Sequence, residues 1–222
     1  MRLALFDLDH TLIPFDSGQA WTRFLVARGA LPADAEAQYL AFCHQYVAGT
    51  LDIHAMHQAV VGPLAAFEPG RLQAWREAFA AEIAPRLPGA MRDIVDAHQA
   101  AGDLCAVVTA TSRFVAEPFA VAFGVEHLVA TEAVLGADGR PTGAIAGLPC
   151  FRAHKPARVV AWLASLGAQT LADFDESWFY SDSASDLPLL QAVTHPVAVR
   201  PDARLRARAE ADGWPVLETP GA

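Results

Sequence analysis

The chain has 222 residues, enough for one full-sized domain or for one domain carrying a sizeable insertion. Apolar residues make up 53% and charged residues 18%, a balance that supplies a large core and excludes a disordered tail. Acids number 25 against 16 bases, and the resulting charge of −9 excludes a nucleic-acid partner, which needs a basic face to replace counterions.

Residues 2–7 (Arg-Leu-Ala-Leu-Phe-Asp) predict a short buried strand that ends in an acid. Residues 15–88 then carry no convincing strand. Four helical patterns fill them, near 18–28, 33–47, 52–66 and 70–84, with Pro32, Pro69, Pro85 and Pro88 as punctuation. This stretch is expected to be a helical insertion into the rest of the core. His54 and His57 lie three apart on one of its helices, a spacing that can chelate a metal. No third ligand is evident, so a wet or packed helix face is expected instead. The stripe Trp75, Phe79 and Ile83 is expected to be core.

Beyond the insertion, strands and helices alternate. Helical periodicity over 90–101 precedes a strand over 104–109 that ends in Thr109. A helix over 114–123 and a shorter strand over 127–130 follow. Residues 131–148 are irregular, and their Ala-Asp-Gly-Arg-Pro-Thr-Gly run predicts the turn of a small hairpin. Next come a helix over 156–166, a strand over 177–182 ending in Asp182, a helix over 184–192, a strand over 195–199 and a helix over 202–212. Gly102, Gly124, Gly167 and Gly213 follow four of these helices, where a C-cap favours glycine. The alternation predicts an α/β fold with an open parallel sheet.

In such a sheet, chemistry lies beyond the carboxyl ends of the strands, where strand order reverses. Three predicted strands end in reactive residues: Asp7-Leu8-Asp9-His10-Thr11, then Thr109-Ala110-Thr111, then Asp182-Ser183-Ala184-Ser185-Asp186. His154-Lys155-Pro156 opens a helix between the second and third. Converging carboxylates repel one another unless a cation neutralises them. Oxygen-only ligands with room for water favour Mg²⁺, which then holds a phosphate as well. A lysine and a hydroxyl beside it complement the remaining phosphoryl oxygens, so the implied reaction is phosphoryl transfer. A carboxylate can itself act as nucleophile in that reaction.

These four segments resemble, in the right order, the four motifs of the haloacid-dehalogenase-like phosphatases. The resemblance runs from residue 7 to residue 186, and the helical insertion looks like the cap of the phosphoserine-phosphatase-like branch. The run Asp182-Ser-Ala-Ser-Asp-Leu-Pro-Leu-Leu is similar to a bacterial group in that branch, some of them assigned as histidinol-phosphate phosphatases. The resemblance implies a Rossmann-like parallel core from residues 1–14 and 89–222, with an α-helical cap inserted over 15–88. It implies that Asp7 is the nucleophile and that Asp9 protonates the leaving oxygen and then activates water. It implies that Asp7, the Asp9 backbone carbonyl and Asp182 hold Mg²⁺, with Asp186 behind them or bound through water. Thr109 and Lys155 would hold the phosphoryl group, Lys155 also pairing with Asp7, with Ala110 and Arg113 on the substrate side. His10 departs from the family, where a small residue is commoner.

Single residues carry plainer readings. Asp173-Phe174-Asp175 imitates the first motif, but it precedes its strand and is expected to be a solvated loop at the sheet's amino end. Asp16 lies where phosphoserine phosphatases have an acid that meets the substrate ammonium; the plain alternative is an N-cap, because Asp16-Ser17-Gly18 opens a helix. Between Arg28 and Arg71 there is no Arg or Lys, so a substrate carboxylate would lack the cap cation those enzymes use. The expected substrate is a small phosphorylated metabolite with an ammonium and no carboxylate, which histidinol phosphate fits; phosphoserine and other small phosphate esters remain alternatives. Arg113 and Arg152 flank the site in sequence. A dehalogenase would not need Asp9 or the metal-binding acids, and a signalling receiver is about half this length.

Cys43, Cys105 and Cys150 are too scattered for a disulfide framework and are expected to be buried thiols. No run approaches the roughly 20 apolar residues of a membrane span. Asp7 and Asp9 fall where a signal peptide would be apolar, so a reducing cytoplasm is the expected setting. Of the 16 bases only Lys155 is a lysine. Drift toward Arg in a GC-rich genome explains most of that bias. The remaining lysine marks a place that Arg does not fill.

Overall fold

The computed structural model describes residues 1–167 and 170–218. Residues 168–169 and 219–222, which the sequence assigns to the same core, lie outside the described residues. Strand β1 (Arg2–Phe6) opens the chain. Four helices follow: α1 (Ser17–Ala27), α2 (Ala35–Ala48), α3 (Ile53–Val61) and α4 (Pro69–Ile83). The alternating part comprises α5 (Gly89–Ala100), β2 (Leu104–Ser112), α6 (Arg113–Ala122) and β3 (His127–Thr131). A hairpin of β4 (Ala133–Leu135) and β5 (Pro141–Ile145) is antiparallel, as the turn residues predict. The rest is α7 (Lys155–Ser165), β6 (Glu176–Ser181), α8 (Leu187–Leu190), β7 (His195–Val199), α9 (Ala203–Asp212) and β8 (Val216–Leu217).

Six strands form one sheet in the order β3-β2-β1-β6-β7-β8, every pair parallel. The chain builds outward from β1 in one direction through β2 and β3, then returns to its other side with β6. The reversal therefore lies beside the carboxyl end of β1.

Side chains alternate across the sheet, and each face is buried. Ala4 and Phe6 of β1 join one cluster with Met91 and Val95 of α5 and Phe119 of α6. Leu3 and Leu5 join the opposite cluster with Val159 and Leu163 of α7, Leu190 of α8 and Leu205 of α9. The four inserted helices have no separate core: Trp21, Phe24, Phe79 and Ile83 belong to the Phe6 cluster. Trp21 packs on Phe24 at 5.3 Å between centroids, and Phe79 meets Phe119 edge-on at 5.7 Å. The expected core stripe is thus packed, with Trp75 at its rim against Phe67 at 4.8 Å.

Two predicted helices are interrupted. The pattern over 52–66 is α3 followed by a 3₁₀ turn at Gly62–Ala66, because Pro63 supplies no N–H to continue the α ladder. The pattern over 184–192 is a 3₁₀ turn at Ala184–Asp186 leading into the single turn of α8, which has Pro188 in its first turn. The decoy acids behave as expected. Asp175 pairs with the amino group of Met1 at the amino end of the sheet, and Asp173 closes a capping box with Thr170. Cys105 and Cys150 are buried thiols, whereas Cys43 is only partly buried. No helix among the described residues is long and apolar enough to cross a membrane.

Candidate active site

Asp7 is fixed by the sheet itself, since its N–H donates to the Tyr180 carbonyl of β6 at 2.9 Å. The chain then winds through a wide turn, Leu8–Leu12, closed by Leu12 N–H to the Asp7 carbonyl at 3.3 Å. His10 takes a left-handed conformation there, with φ 57°. A side chain at such a position costs roughly 1–2 kcal/mol, which glycine alone escapes. Arg200 offsets that cost by donating to the carbonyls of His10 at 2.7 Å and Thr11 at 2.8 Å.

The turn carries Thr11 back to the acids. Its hydroxyl lies 3.1 Å from Asp182 Oδ1 and 3.4 Å from Asp7 Oδ2, so it links the ends of β1 and β6. Lys155, at the start of α7, reaches the same place. Its Nζ donates to Asp7 Oδ1 at 2.8 Å and to Asp186 Oδ2 at 2.7 Å. Ser181 also donates to Asp186 Oδ2, at 2.8 Å, which fixes the carboxylate behind the lysine.

Charge in this cluster is unbalanced. Three carboxylates, Asp7, Asp182 and Asp186, converge here. The one buried ammonium pairs with only two of them, Asp7 and Asp186, while Asp182 meets Thr11 and the charge of Arg200. Burial, then the charges of Asp7 and Asp186, push Asp182 well above the usual carboxylate range. Burial likewise raises Asp7 to about 7 against the pull of Lys155, with Asp186 and Asp9 adding to the rise. Burial alone would lower Lys155, but Asp186 and Asp7 outweigh it and hold the ammonium well above its ordinary value. An all-oxygen site with surplus negative charge suits a hard divalent cation. No cluster of three or more His, Cys, Asp or Glu among the described residues forms a complete metal cage. The donors fit Mg²⁺, which takes few carboxylates and keeps several waters.

Asp9 points toward the inserted helices. Its Oδ1 accepts the Ser17 N–H at the start of α1 at 2.6 Å, and its Oδ2 accepts the Thr111 hydroxyl at 2.7 Å. Strand β2 has a register irregularity between Val108 and Ser112, just where it passes the site. Such bulges re-aim side chains. Thr109 is buried, with its hydroxyl accepting the Thr111 N–H at 3.1 Å. Ala110 contributes its carbonyl to the Thr131 hydroxyl at 2.8 Å.

The remaining expected residues divide. Asp16 is the N-cap of α1, accepting from the Gln19 N–H at 2.7 Å and from the Tyr39 hydroxyl at 2.6 Å. Burial and then the charge of Asp9 raise it to about 6. Arg113 is not brought to the acids. It is held by Glu132 at 2.9 Å and by the Leu128 carbonyl at 2.6 Å, because it starts α6 on the β3 side. Arg152 reaches instead to the Gly49 carbonyl at 3.2 Å. His54 and His57 do not act together: His54 is exposed, and His57 is buried with Nδ1 on the Gly143 carbonyl at 2.6 Å.

Several polar residues of the site carry no signal of their own in the sequence. Thr11 and Thr111 sit inside the quoted motifs, and Thr111 shares the strand period of two with Thr109. Tyr46 on α2 reaches across to the third strand end, 3.0 Å from Ser183 Oγ and 2.5 Å from Ser185 Oγ. No local pattern announces that contact.

The profile of the haloacid dehalogenase-like hydrolase family matches residues 4–191. A protein of Neisseria meningitidis serogroup C named histidinol-phosphatase is 42% identical over 218 residues, covering 97% of this chain and 98% of that one. A crystal structure of a protein with unknown function from Bordetella pertussis Tohama I superposes with a TM-score of 0.90 at 49% identity, covering 98% of each chain. A substrate-bound phosphoserine phosphatase superposes with a TM-score of 0.67 at 17% identity, covering 98% of this chain and 92% of that one, a likeness of fold.

Proposed function

The chain belongs to the haloacid dehalogenase-like hydrolases and is a phosphatase of that family, and we propose that it hydrolyses histidinol phosphate through an aspartyl-phosphate on Asp7. The observation that carries the mechanism is Lys155 bridging Asp7 and Asp186 while Thr11 links Asp7 to Asp182, all at the sheet's switch point. The 42% identity to a histidinol-phosphatase over nearly the whole of both chains supports the substrate.

In this reading the Asp7 carboxylate attacks phosphorus and the ester oxygen leaves with a proton from Asp9. Asp9, now a carboxylate held by Ser17 and Thr111, takes a proton from the water that hydrolyses the acyl phosphate. Inorganic phosphate departs and Asp7 is restored. Lys155 and Thr109 balance charge on the phosphoryl oxygens. Asp7, the Asp9 backbone carbonyl and Asp182 would hold Mg²⁺, with Asp186 behind them through Lys155. When bound, the cation screens the phosphoryl charge from the carboxylates. The inserted helices act as a cap that closes over a small substrate and excludes water. The expected setting is the cytoplasm.

A phosphoserine phosphatase is the second reading, favoured by fold. It is disfavoured because a substrate carboxylate finds no Arg or Lys between Arg28 and Arg71, and these two are engaged elsewhere: Arg28 lies 3.7 Å from Glu82, and Arg71 stacks on Trp75 at 5.8 Å. The test is Mg²⁺-dependent phosphate release from both esters, compared by kcat/KM. Phosphoserine turned over as efficiently as histidinol phosphate would refute the assignment. Absence of phosphate release from any ester would refute the mechanism.

A further inference from the structure

Beyond β1, β2 and β6, strand β7 also ends at the reactive edge, because it runs parallel to β6 beside it. Its last residue, Val199, leads into the turn Arg200-Pro201-Asp202, which opens α9. This turn grips both halves of the acid cluster.

Arg200 works on the β1 side. Its Nη2 donates to the His10 carbonyl at 2.7 Å and to the Thr11 carbonyl at 2.8 Å. It reaches past the end of β6 to do so, because β6 lies between β1 and β7. Those carbonyls flank Thr11, whose hydroxyl meets Asp7 and Asp182, and His10 directly follows the Asp9 carbonyl. Arg200 is left-handed, with φ 43°, as is His10, and a side chain resists that conformation. Such residues persist where their surroundings impose them, and they gather at functional sites.

Asp202 works on the β6 side. Its backbone N–H donates to the Asp182 carbonyl at 2.7 Å, and its Oδ2 accepts the Ala184 N–H at 2.8 Å. Its other oxygen, Oδ1, caps α9 by accepting from the N–H groups of Arg204 at 2.9 Å and Leu205 at 2.8 Å. One oxygen thus serves the helix, and the second is committed to the turn that runs from Asp182 to Asp186.

We propose that the Arg200–Asp202 turn is a positioning brace for the metal-binding oxygens. Arg200 sets the loop that presents Asp7 and the Asp9 carbonyl, and Asp202 sets the turn that presents Asp182. This role rests on the Mg²⁺ reading of the site and goes beyond it, since neither residue is a ligand. Mg²⁺ demands a near-octahedral set of oxygens, so ligands delivered by two separate strands have to keep one spacing. Groups that only hold the ligands typically govern metal affinity by roughly 10–100-fold.

The test is calorimetric titration of the substrate-free full chain with Mg²⁺, so that turnover does not enter. Arg200→Met removes the donors and keeps a long side chain. As a bare positive charge near Asp182, Arg200 would oppose the cation, and its loss would tighten binding. As a brace, its loss weakens binding by roughly tenfold or more. The opposite signs separate the two roles, and tighter or unchanged binding overturns the brace on the β1 side. Asp202→Asn keeps an oxygen to cap α9, since Asn caps as well as Asp, but sets its amide NH₂ against the Ala184 N–H. Its Mg²⁺ affinity is expected to fall roughly tenfold or more in about 1 M KCl, where a remote charge is screened beyond about 3 Å. Affinity equal to wild type reduces Asp202 to an N-cap. If Arg200→Met fails to fold, Asp202→Asn decides alone. Wild type that binds no Mg²⁺ overturns the metal reading itself, an outcome distinct from any change between variants.

Discussion

Lys155 stands between Asp7 and Asp186, 2.8 Å from one carboxylate and 2.7 Å from the other, and is itself almost wholly buried. The chain's one lysine thus occupies a slot with two acceptors set for a compact ammonium. A guanidinium is broad and planar and cannot enter the same slot without displacing a carboxylate. Lys155→Arg is expected to lower kcat/KM for p-nitrophenyl phosphate by about 100-fold, an electrostatic loss of the usual size. Near-wild-type kcat/KM in that variant would make the lysine incidental. Lys155→Ala leaves two buried carboxylates uncompensated and should cost about 3–5 kcal/mol of stability, read by denaturant unfolding.

Asp16 couples stability to pH. Its carboxyl is raised from an ordinary 3.8 to about 6, so the folded state binds more protons than the unfolded state between those values. Its contribution therefore falls as pH rises from about 4 through 6, and stays lost above. Asp16→Asn keeps the capping oxygen and removes the charge. The variant should gain roughly 1–2 kcal/mol at pH 7.5, discounted for the carboxyl's partial exposure. Its Tm advantage over wild type should shrink at pH 4.5. An advantage that is equal at both values contradicts the burial argument.

Thr111 supplies one of the two hydrogen bonds that hold Asp9. Thr111→Val keeps the shape and removes that donor. Proton transfer then starts from a loosely held acid, so kcat should fall about tenfold, within the range ascribed to positioned acids. KM for p-nitrophenyl phosphate should change little. A rise in KM at unchanged kcat would instead make Thr111 a substrate contact.

Chelation tests the surplus negative charge. Removing divalent cations with EDTA should abolish phosphate release, and added Mg²⁺ should restore it. Binding to the folded chain alone also stabilises it, by about 2.7 kcal/mol at a hundred times Kd. Tm should therefore rise with Mg²⁺ in wild type and respond far less in Asp182→Asn. Equal Tm responses would move the cation away from Asp182.

Much of this arrangement is legible in the sequence. Apolar runs ending in Asp7, Thr109 and Asp182 predict strands, and the strand-helix alternation puts those ends on one edge. Interruptions were less visible, because Pro63 and Pro188 each lie inside an otherwise helical period. Arg113 was misdirected by proximity in sequence: it follows the site directly, but the first turn of α6 aims it at Glu132. Thr11, Thr111 and Ser17 matter through partners brought near by folding, up to 171 residues away for Thr11 and Asp182. Hydroxyls carry no signature of their own, since their use depends on what the fold sets opposite them.

The contact of Tyr46 with Ser183 and Ser185 joins an inserted helix to the acids. Those serines lie in the turn between Asp182 and Asp186, while Tyr46 rides on an inserted helix. The segment that carries Asp182 and Asp186 is therefore tied to α2 through a single phenol hydroxyl, so the position of one constrains the position of the other.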